Sequence, residues 1–410
     1  MRAATALADI TPHGTFYMEG YANDVRRQPA LGVHDAPCAV LLLLEVGEVR
    51  VLFVSLDVCI VSAEGSRLLR EGLSSCLGLP EENIVISAIH SHSCPNGFEG
   101  EGGIVGVHSH GYVEMASGRV IEAATGLEGA LVEVTPELAS LHVRGWYSNR
   151  NDRERPFDDS VHVLRLRAED GTVAGAMLNF NCHATVVGPF NRYLTTDVMG
   201  GVRARVADWV GCVPYTFTGA SADLGNRQFR RGNDFAELER VSCGIASAIM
   251  EGAEFAPVEL VEPGISSFSR RVSYNNEDYF DQYRAQLADV TAVLDDPETG
   301  FDERKLADTE RQLLESQLSI HDVDFTIKMR TIDFGGVVFV TFPGELASDL
   351  GVRVKEAFGD RVAIVIGYAN DYQGYFVPEG DFGGTSYESY VTKMPRGGIE
   401  RVLDEYEESL

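Results

Sequence analysis

The stretch NIVISAIHSHSCPNG, residues 83–97, gives the clearest indication of the fold of this chain. Its first half is an apolar run of strand length, and His90 and His92 follow directly. Side chains two residues apart on an extended segment point the same way, so the two imidazoles should project together. Because ligands bind at the carboxyl ends of strands in open α/β sheets, this stretch predicts a buried strand that carries two histidines to a ligand-binding edge.

Two other buried-strand patterns end in residues that can bind a metal. GAMLNFNCHATVVG, residues 175–188, brings His183 to a strand exit. VVFVTFPGELAS, residues 337–348, brings Glu345 to another. Histidines and a carboxylate at one sheet edge are typical of a catalytic zinc site, which takes about three protein ligands. The alternative for a lone histidine is an ordinary core or surface position, and for Glu345 it is the first turn of a helix, where the dipole favours negative charge.

A tyrosine-rich loop follows the last apolar run, in AIVIGYANDYQGYFVPEGDFGGTSYES, residues 363–389. Such tyrosines usually pack with the hydroxyl at the rim of the core. A tyrosine close to a metal could instead bind it as a phenolate. The four tyrosines in the loop are Tyr368, Tyr372, Tyr375 and Tyr387.

Other polar segments carry less chemistry. His108 and His110 repeat the His-x-His spacing but follow a glycine-rich loop, so we predict that they are exposed. Ser221 lies in a Gly/Ala/Ser loop after a strand but not in a G-x-S-x-G elbow, which argues against a serine hydrolase. The polar segment at residues 145–156 places Arg150 just after a strand-like stretch.

The alternation of strand-like and helical patterns predicts an α/β fold with a mixed β-sheet core and flanking helices. The sheet should be mixed because some neighbouring strands form hairpins, such as the one around Gly47. Helices are predicted at Ser62–Leu77, Val113–Leu131, Thr196–Trp209 and Phe235–Glu251. The predicted strands are Cys38–Glu45, Val51–Val58, Asn83–Ile89, Val161–Leu166, Gly175–Asn181, Val213–Thr218, Phe325–Ile332, Val337–Thr341 and Val362–Tyr368.

The charged segment 277–320 has apolar residues spaced for two helices, with a break near residues 295–301. It predicts an antiparallel helical hairpin inserted between sheet segments, which would serve as a cover or as a dimer contact. The rest of the chain shows no linker, so we expect one catalytic domain over residues 1–410.

The composition excludes several classes of function. The net charge is −28, from 34 basic and 62 acidic residues, which argues against binding to nucleic acid or to an anionic membrane. The seven cysteines form no CxxC pair, and the apolar runs are too short to span a membrane. The N-terminus has no apolar signal-peptide core, so a reduced, cytoplasmic protein is expected.

Taken together, the motifs resemble those of the neutral/alkaline non-lysosomal ceramidases. The resemblance extends over almost the whole chain and rests on segments that occur in the family's order. It implies the fold of the ceramidase catalytic domain, in a short member without the C-terminal immunoglobulin-like domain and secretion signal of the long members. The segments are ADITP, MEGYA, AIHSHSCP, YSNR, NFNCHATVVG, TTDVMGG, GASADLGNR, FPGELAS and GYANDYQGYFVPEGDFGGTSYES.

The resemblance also implies a site. It implies one zinc ion, with His92 beside the zinc-bound water and Arg150 near the scissile amide of the substrate. Where the family has an Asp-x-Ser-Pro loop, this chain reads Asp223-Leu224-Gly225-Asn226, so no role of that serine carries over. The implied zinc ligands are His90, His183, Glu345 and Tyr387.

We therefore predict a zinc-dependent amidohydrolase that cleaves linear amides, with a small-molecule or lipid-like N-acyl substrate. His92 is the predicted general base, and Arg150 or Tyr387 would stabilise the oxyanion. Asp197 and Asp223 are predicted to orient the zinc histidines. The alternatives are an esterase, lactonase or cyclic-amide hydrolase with the same site, and a non-catalytic binding protein. Iron or manganese could replace zinc, and a homo-oligomer is left open.

Overall fold

The computed structural model describes residues 1–21, 23–100, 103, 105–382 and 386–410; for residues 301–303, 305, 306, 309 and 313 it describes the backbone alone. The chain divides into two compact units. The first comprises Met1–Ser267 and Met329–Tyr372, and the second comprises Phe268–Lys328 and Gln373–Leu410. The single catalytic domain expected over residues 1–410 stays a prediction.

Nineteen strands and nine α-helices are numbered in chain order over the described residues. The strands are β1 Arg2–Asp9, β2 Gly32–Val33, β3 Cys38–Val46, β4 Val49–Leu56, β5 Ile84–Ala88, β6 Val132–His142, β7 Ser148–Asn149, β8 Ser160–Ala168, β9 Val173–Asn179, β10 Tyr193–Leu194, β11 Tyr215–Phe217, β12 Leu224–Gly225, β13 Ala256–Pro257, β14 Leu260–Asn275, β15 Asp322–Gly335, β16 Val337–Thr341, β17 Glu345–Leu346, β18 Val362–Ile366 and β19 Tyr375–Phe376. The helices are α1 Arg67–Leu77, α2 Tyr112–Ala124, α3 Asp197–Val210, α4 Phe235–Gly252, α5 Phe280–Asp295, α6 Phe301–Leu318, α7 Ser348–Glu356, α8 Tyr387–Val391 and α9 Gly398–Glu408.

The largest sheet has nine strands in the order β11-β9-β8-β6-β1-β3-β4-β5, with β13 paired to β6. Its ladders are mixed: β3 and β4 are antiparallel, whereas β4 and β5 are parallel. The predicted hairpin between β3 and β4 is present, and its turn residue Gly47 has a φ of 62°, which favours glycine. The prediction of a mixed α/β fold is confirmed.

A four-stranded sheet has the order β14-β15-β16-β18. The core between the two sheets includes Phe53 of β4 and Phe339 of β16, whose ring centroids are 5.4 Å apart. Successive residues of β3 serve different cores: Leu41 and Leu43 face the cluster that includes α1 and α2, and Leu42 and Leu44 face the inter-sheet core. Burial on both faces explains why this strand is uniformly apolar.

The helical hairpin predicted at 277–320 is formed by α5 and α6, which connect the paired strands β14 and β15. The predicted break near residues 295–301 matches the gap between the two helices. Across the described parts of the chain, no helix is long and apolar enough to cross a membrane.

Three parallel strand pairs orient the loops that carry the predicted site. They are β4 with β5, β9 with β11, and β16 with β18. Two isolated bridges hold these loops together: Ser91 pairs with Ala184, and Ser87 of β5 pairs with Ala369. The residues that follow β5, β9, β16 and β18 therefore meet at one edge of the first unit.

Candidate metal centre

His90 is fixed by the loop that follows β4. Its backbone N–H donates to the Val58 carbonyl at 3.1 Å, and its Nδ1 donates to the Cys59 carbonyl at 2.8 Å. The imidazole is fully buried, and the backbone φ is +59°, a region that non-glycine residues rarely adopt. Such backbone geometry persists only where surrounding contacts enforce it, and it clusters at functional sites.

His183 is held in the same manner from the other side. Its backbone N–H donates to the Leu224 carbonyl at 3.2 Å, and its Nδ1 lies 3.2 Å from the Ser221 carbonyl. A carbonyl only accepts, so Nδ1 carries the proton in both His90 and His183. Each Nε2 therefore presents a bare lone pair, which is the form of histidine that binds metals.

These lone pairs converge with the Glu345 carboxylate. The two Nε2 atoms of His90 and His183 are 3.1 Å apart, and Oε2 of Glu345 is 3.5 Å from the first and 3.7 Å from the second. Ligands of tetrahedral zinc at about 2.0–2.1 Å from the metal lie roughly 3.3 Å from one another. The three donors are therefore spaced as a divalent cation requires.

A proton shared between the imidazoles is the competing explanation for this contact. Burial lowers the pKa of His90, although the Glu345 carboxylate opposes the shift. Burial also lowers the pKa of His183 well below 6.5, and the Arg150 guanidinium adds to this effect. Both imidazoles are therefore neutral near pH 7, and a metal cation fits the cluster better than a proton.

A second group of possible ligands, Cys59 with His90 and His92, also has its ligand atoms within 4.8 Å of one another. In this group, the His90 Nδ1 lies 3.8 Å from the Cys59 Sγ, and it already donates to the Cys59 carbonyl. Burial also raises the pKa of the Cys59 thiol well above its usual value, so it stays protonated. Thiolate is the form that binds metals, and His90, His183 and Glu345 are therefore the better set.

His92 lies beside this set, at its most exposed corner. Its Nε2 is 3.0 Å from that of His90, and its side chain is 9% exposed, compared with 0% for His90. The Tyr21 ring packs edge-on against it, with the ring centroids 5.0 Å apart. Gly20 lets the backbone pass close to His92, because a Cβ there would lie 2.6–2.7 Å from three His92 atoms.

Arg150 is brought to the centre by a short ribbon. β7 pairs with β12, and the Arg150 N–H donates to the Asp223 carbonyl at 2.7 Å. Its positive charge is close enough to contribute to the lowered pKa values of all three histidines. A Cβ at Gly225 would lie 3.8 Å from the Cβ of His183 and 4.0 Å from the Cβ of Arg150. The side chains of His183 and Arg150 therefore both begin next to Gly225.

The prediction that Asp197 and Asp223 orient the zinc histidines is wrong for His90 and His183, because backbone carbonyls hold their Nδ1 atoms. The Asp197 carboxylate accepts from the backbone N–H groups of residues 186 and 187, just after His183. The Asp223 carboxylate accepts from the Ser348 N–H and from the Asn149 amide. Both aspartates thus shape the loops around the histidines.

Two of the four loop tyrosines, for which the sequence left packing and metal binding open, contact Glu345. The Tyr372 hydroxyl donates to Oε1 at 2.5 Å, and the Tyr368 hydroxyl donates to Oε2 at 3.3 Å. The Tyr368 ring also stacks on the His90 imidazole, with centroids 4.0 Å apart. The signal was their position directly after the strand that ends at Ile366, at the same sheet edge as Glu345.

Tyr387, the fourth predicted ligand, lies in the second unit. It begins α8, is 40% exposed, and packs against the Tyr375 ring with centroids 5.6 Å apart. Its roles as ligand and as oxyanion donor stay predictions.

The remaining sequence expectations concern residues outside the metal cluster. His108 and His110 are exposed, as predicted. The Ser221 hydroxyl accepts from Thr218 at 3.0 Å and lies 3.1 Å from the Tyr368 hydroxyl. It is thus engaged by other hydroxyls, which agrees with the argument against a serine hydrolase.

Comparisons with known proteins show what the chain as a whole is similar to. No family model matches the chain. Neutral ceramidase of Oryza sativa subsp. japonica is 24% identical over 225 residues, and neutral ceramidase 1 of Arabidopsis thaliana is 26% identical over 225 residues. Each alignment covers 49% of this chain and only 28% of the plant relative.

The fold has close counterparts among solved structures. Neutral ceramidase from Pseudomonas aeruginosa aligns with a TM-score of 0.75 at 18% identity, over 99% of this chain and 73% of that one. A ceramidase complexed with C2 aligns with a TM-score of 0.75 at 16% identity, over 98% and 73%. These structures share the mixed α/β fold of this chain. Together with the two plant relatives, they confirm that the chain is neutral ceramidase-like.

Proposed function

We propose that this chain is a zinc-dependent hydrolase that cleaves an N-acyl amide bond with water. The observation that carries the proposal is the convergence of two proton-free Nε2 atoms and one carboxylate oxygen within 3.1–3.7 Å, in a buried cluster. The names of the similar proteins, all ceramidases, favour an amide substrate.

His90, His183 and Glu345 would hold the metal, with Tyr387 as the predicted fourth ligand. When bound, zinc lowers the pKa of its water from 15.7 to about 7 and polarises the carbonyl of the substrate. Iron or manganese would use the same imidazole and carboxylate donors, so the donor types do not distinguish these metals. The spacing of the donors, which fits tetrahedral zinc, is what favours zinc.

His92 is placed to move the proton. Burial, His90 and Arg150 lower its pKa well below 6.5, so the imidazole is neutral and able to accept a proton at neutral pH. Its exposure of 9% is the largest among the three clustered histidines. We assign it the role of general base, which then donates the proton to the leaving amine.

Arg150 provides positive charge beside the cluster without being a ligand. A guanidinium there stabilises the negative charge that develops on the carbonyl oxygen in the transition state, and the buried surroundings strengthen the interaction. The substrate class remains a lipid-like or small amide. A cytoplasmic location and self-association also stay predictions.

The proposal is tested by a matched set of acyl substrates. We expect the purified chain to release acid and amine from an N-acylsphingosine or from a short N-acyl amine, to lose this activity with a chelator, and to regain it with zinc. Hydrolysis of the corresponding ester but of neither amide would favour the esterase alternative. A zinc-loaded chain that cleaves none of these compounds would contradict the proposal and favour a binding protein.

A further inference from the structure

We propose that Tyr372, Tyr368 and Ser221 form a hydrogen-bonded clamp that fixes Glu345 as a one-oxygen metal ligand and aligns it with both histidines. The inference rests on the proposed function in that it takes His90, His183 and Glu345 as the ligands. It concerns positioning residues, because none of the three clamp residues is placed on the metal or the substrate.

Tyr372 and Tyr368 each donate a hydrogen bond to a different oxygen of the Glu345 carboxylate. Tyr372 donates to Oε1 at 2.5 Å, whereas Oε2 is the oxygen that faces the His90 and His183 nitrogens. A hydroxyl–carboxylate bond this short is among the stronger hydrogen bonds in proteins. It occupies Oε1 and stops the carboxylate from turning both oxygens towards the metal.

The second arm of the clamp is a chain of hydroxyl groups. Thr218 donates to the Ser221 hydroxyl at 3.0 Å, and Ser221 lies 3.1 Å from the Tyr368 hydroxyl. Tyr368 then donates to Oε2 of Glu345 at 3.3 Å. Each hydroxyl has one hydrogen to donate and the Glu345 carboxylate only accepts, so the chain of hydrogen bonds runs in a single direction towards Glu345.

The same residues also contact both histidines. The Ser221 carbonyl accepts from His183, and the Tyr368 ring stacks on His90 at 4.0 Å. The Tyr368 backbone has a φ of +53°, and its N–H donates to the Gly344 carbonyl at 3.2 Å, directly before Glu345. Its own carbonyl accepts from the Ala88 N–H at 3.1 Å, just before His90 in the chain. Tyr368 thus contacts His90 and Glu345 directly, and it is linked to His183 through Ser221.

Ordinary packing is the simpler explanation, since buried tyrosines usually find a hydrogen-bond partner. It predicts only a loss of stability when a hydroxyl is removed. The clamp predicts a change in metal coordination, because outer partners of metal ligands typically contribute 10–100-fold to metal affinity.

The test compares Tyr372→Phe with Tyr147→Phe. Tyr147 is fully buried in another core cluster, and its hydroxyl has no hydrogen-bond partner among the residues that the structure describes, so its removal breaks no bond. Zinc affinity is measured by competition with a chromophoric chelator, and the ligand field by visible absorption of the Co²⁺-substituted protein. For Tyr372→Phe we expect roughly 10–100-fold weaker zinc binding and weaker Co²⁺ absorption, as the second carboxylate oxygen is released. Tyr147→Phe should match the wild type in both.

Tyr368→Phe is the second variant, and it keeps the ring stacked on His90 while it breaks the hydroxyl chain. We expect it to weaken zinc binding as well, which covers the case in which Tyr372→Phe does not fold. Wild-type affinity and an unchanged Co²⁺ spectrum in the folded variants would overturn the clamp. A wild-type chain that binds zinc but cleaves no amide would overturn the proposed activity alone. A wild-type chain that binds no metal would overturn both.

Discussion

His92→Ala should lower turnover by roughly a hundredfold or more while the metal stays bound. The reason is that His92 is predicted to transfer the proton, whereas His90, His183 and Glu345 suffice to hold the ion. The geometry makes this a demanding test. The Nε2 atoms of His92 and His183 lie 3.0 and 3.1 Å from Nε2 of His90, so distance alone does not distinguish His92 from the predicted ligand His183. Turnover and zinc content, measured on the same preparation, decide whether His92 is the general base or a metal ligand.

His108→Ala is the matched control for this variant. His108 belongs to the second His-x-His pair, and its side chain is 48% exposed, so we expect neither turnover nor zinc content to change. Loss of zinc from His92→Ala would make His92 a ligand and would contradict its assignment as the base.

Asp57→Asn should destabilise the folded chain by about 3–5 kcal/mol, because it leaves a buried guanidinium without its counter-charge. Both oxygens of Asp57 accept from Arg203, at 2.7 and 2.6 Å, and both side chains are almost fully buried. Burial alone would lower the pKa of Arg203, but the Asp57 carboxylate raises it overall. The measurement is the free energy of unfolding from denaturant titration at constant pH.

Two controls separate this buried pair from ordinary charge effects. Asp324→Asn removes one partner of an ion pair whose side chains are 70% and 50% exposed, and it should leave the free energy of unfolding almost unchanged, because solvent screens such a pair. Replacing both buried partners, as Asp57→Leu with Arg203→Met, should recover much of the lost stability, since similar apolar replacements are often neutral. A loss from Asp57→Asn no larger than that from Asp324→Asn would contradict the prediction.

The sequence predicts the interior strands because their apolar residues face a core on both sides. β16 lies at Val337–Thr341, as predicted, and all five of its residues are buried. β6 was missed because only one of its eleven residues is buried and it carries Pro136. Its position comes from backbone pairing with β8, over nine residue pairs, and such pairing leaves little apolar pattern in the sequence.

The candidate ligands in the first unit could be predicted because each follows a buried strand. The groups that orient them could not, since they are backbone carbonyls of Cys59 and Ser221 that reach the histidines through loop geometry. The contact between Tyr368 and His90 could not be predicted from the sequence either. The stacking depends on left-handed backbone at both residues, which no residue pattern reveals. Tyr387 lies in the second unit, and its role stays a prediction.

Metal content by elemental analysis tests the central claim most directly, on the wild type and on the variant with both His90→Ala and His183→Ala. We expect about one zinc per wild-type chain and none in the double variant, since it loses two of the ligands. Circular dichroism of the double variant checks that it remains folded. A wild-type chain that stays metal-free after zinc is added would contradict the metal centre, and with it the hydrolytic function.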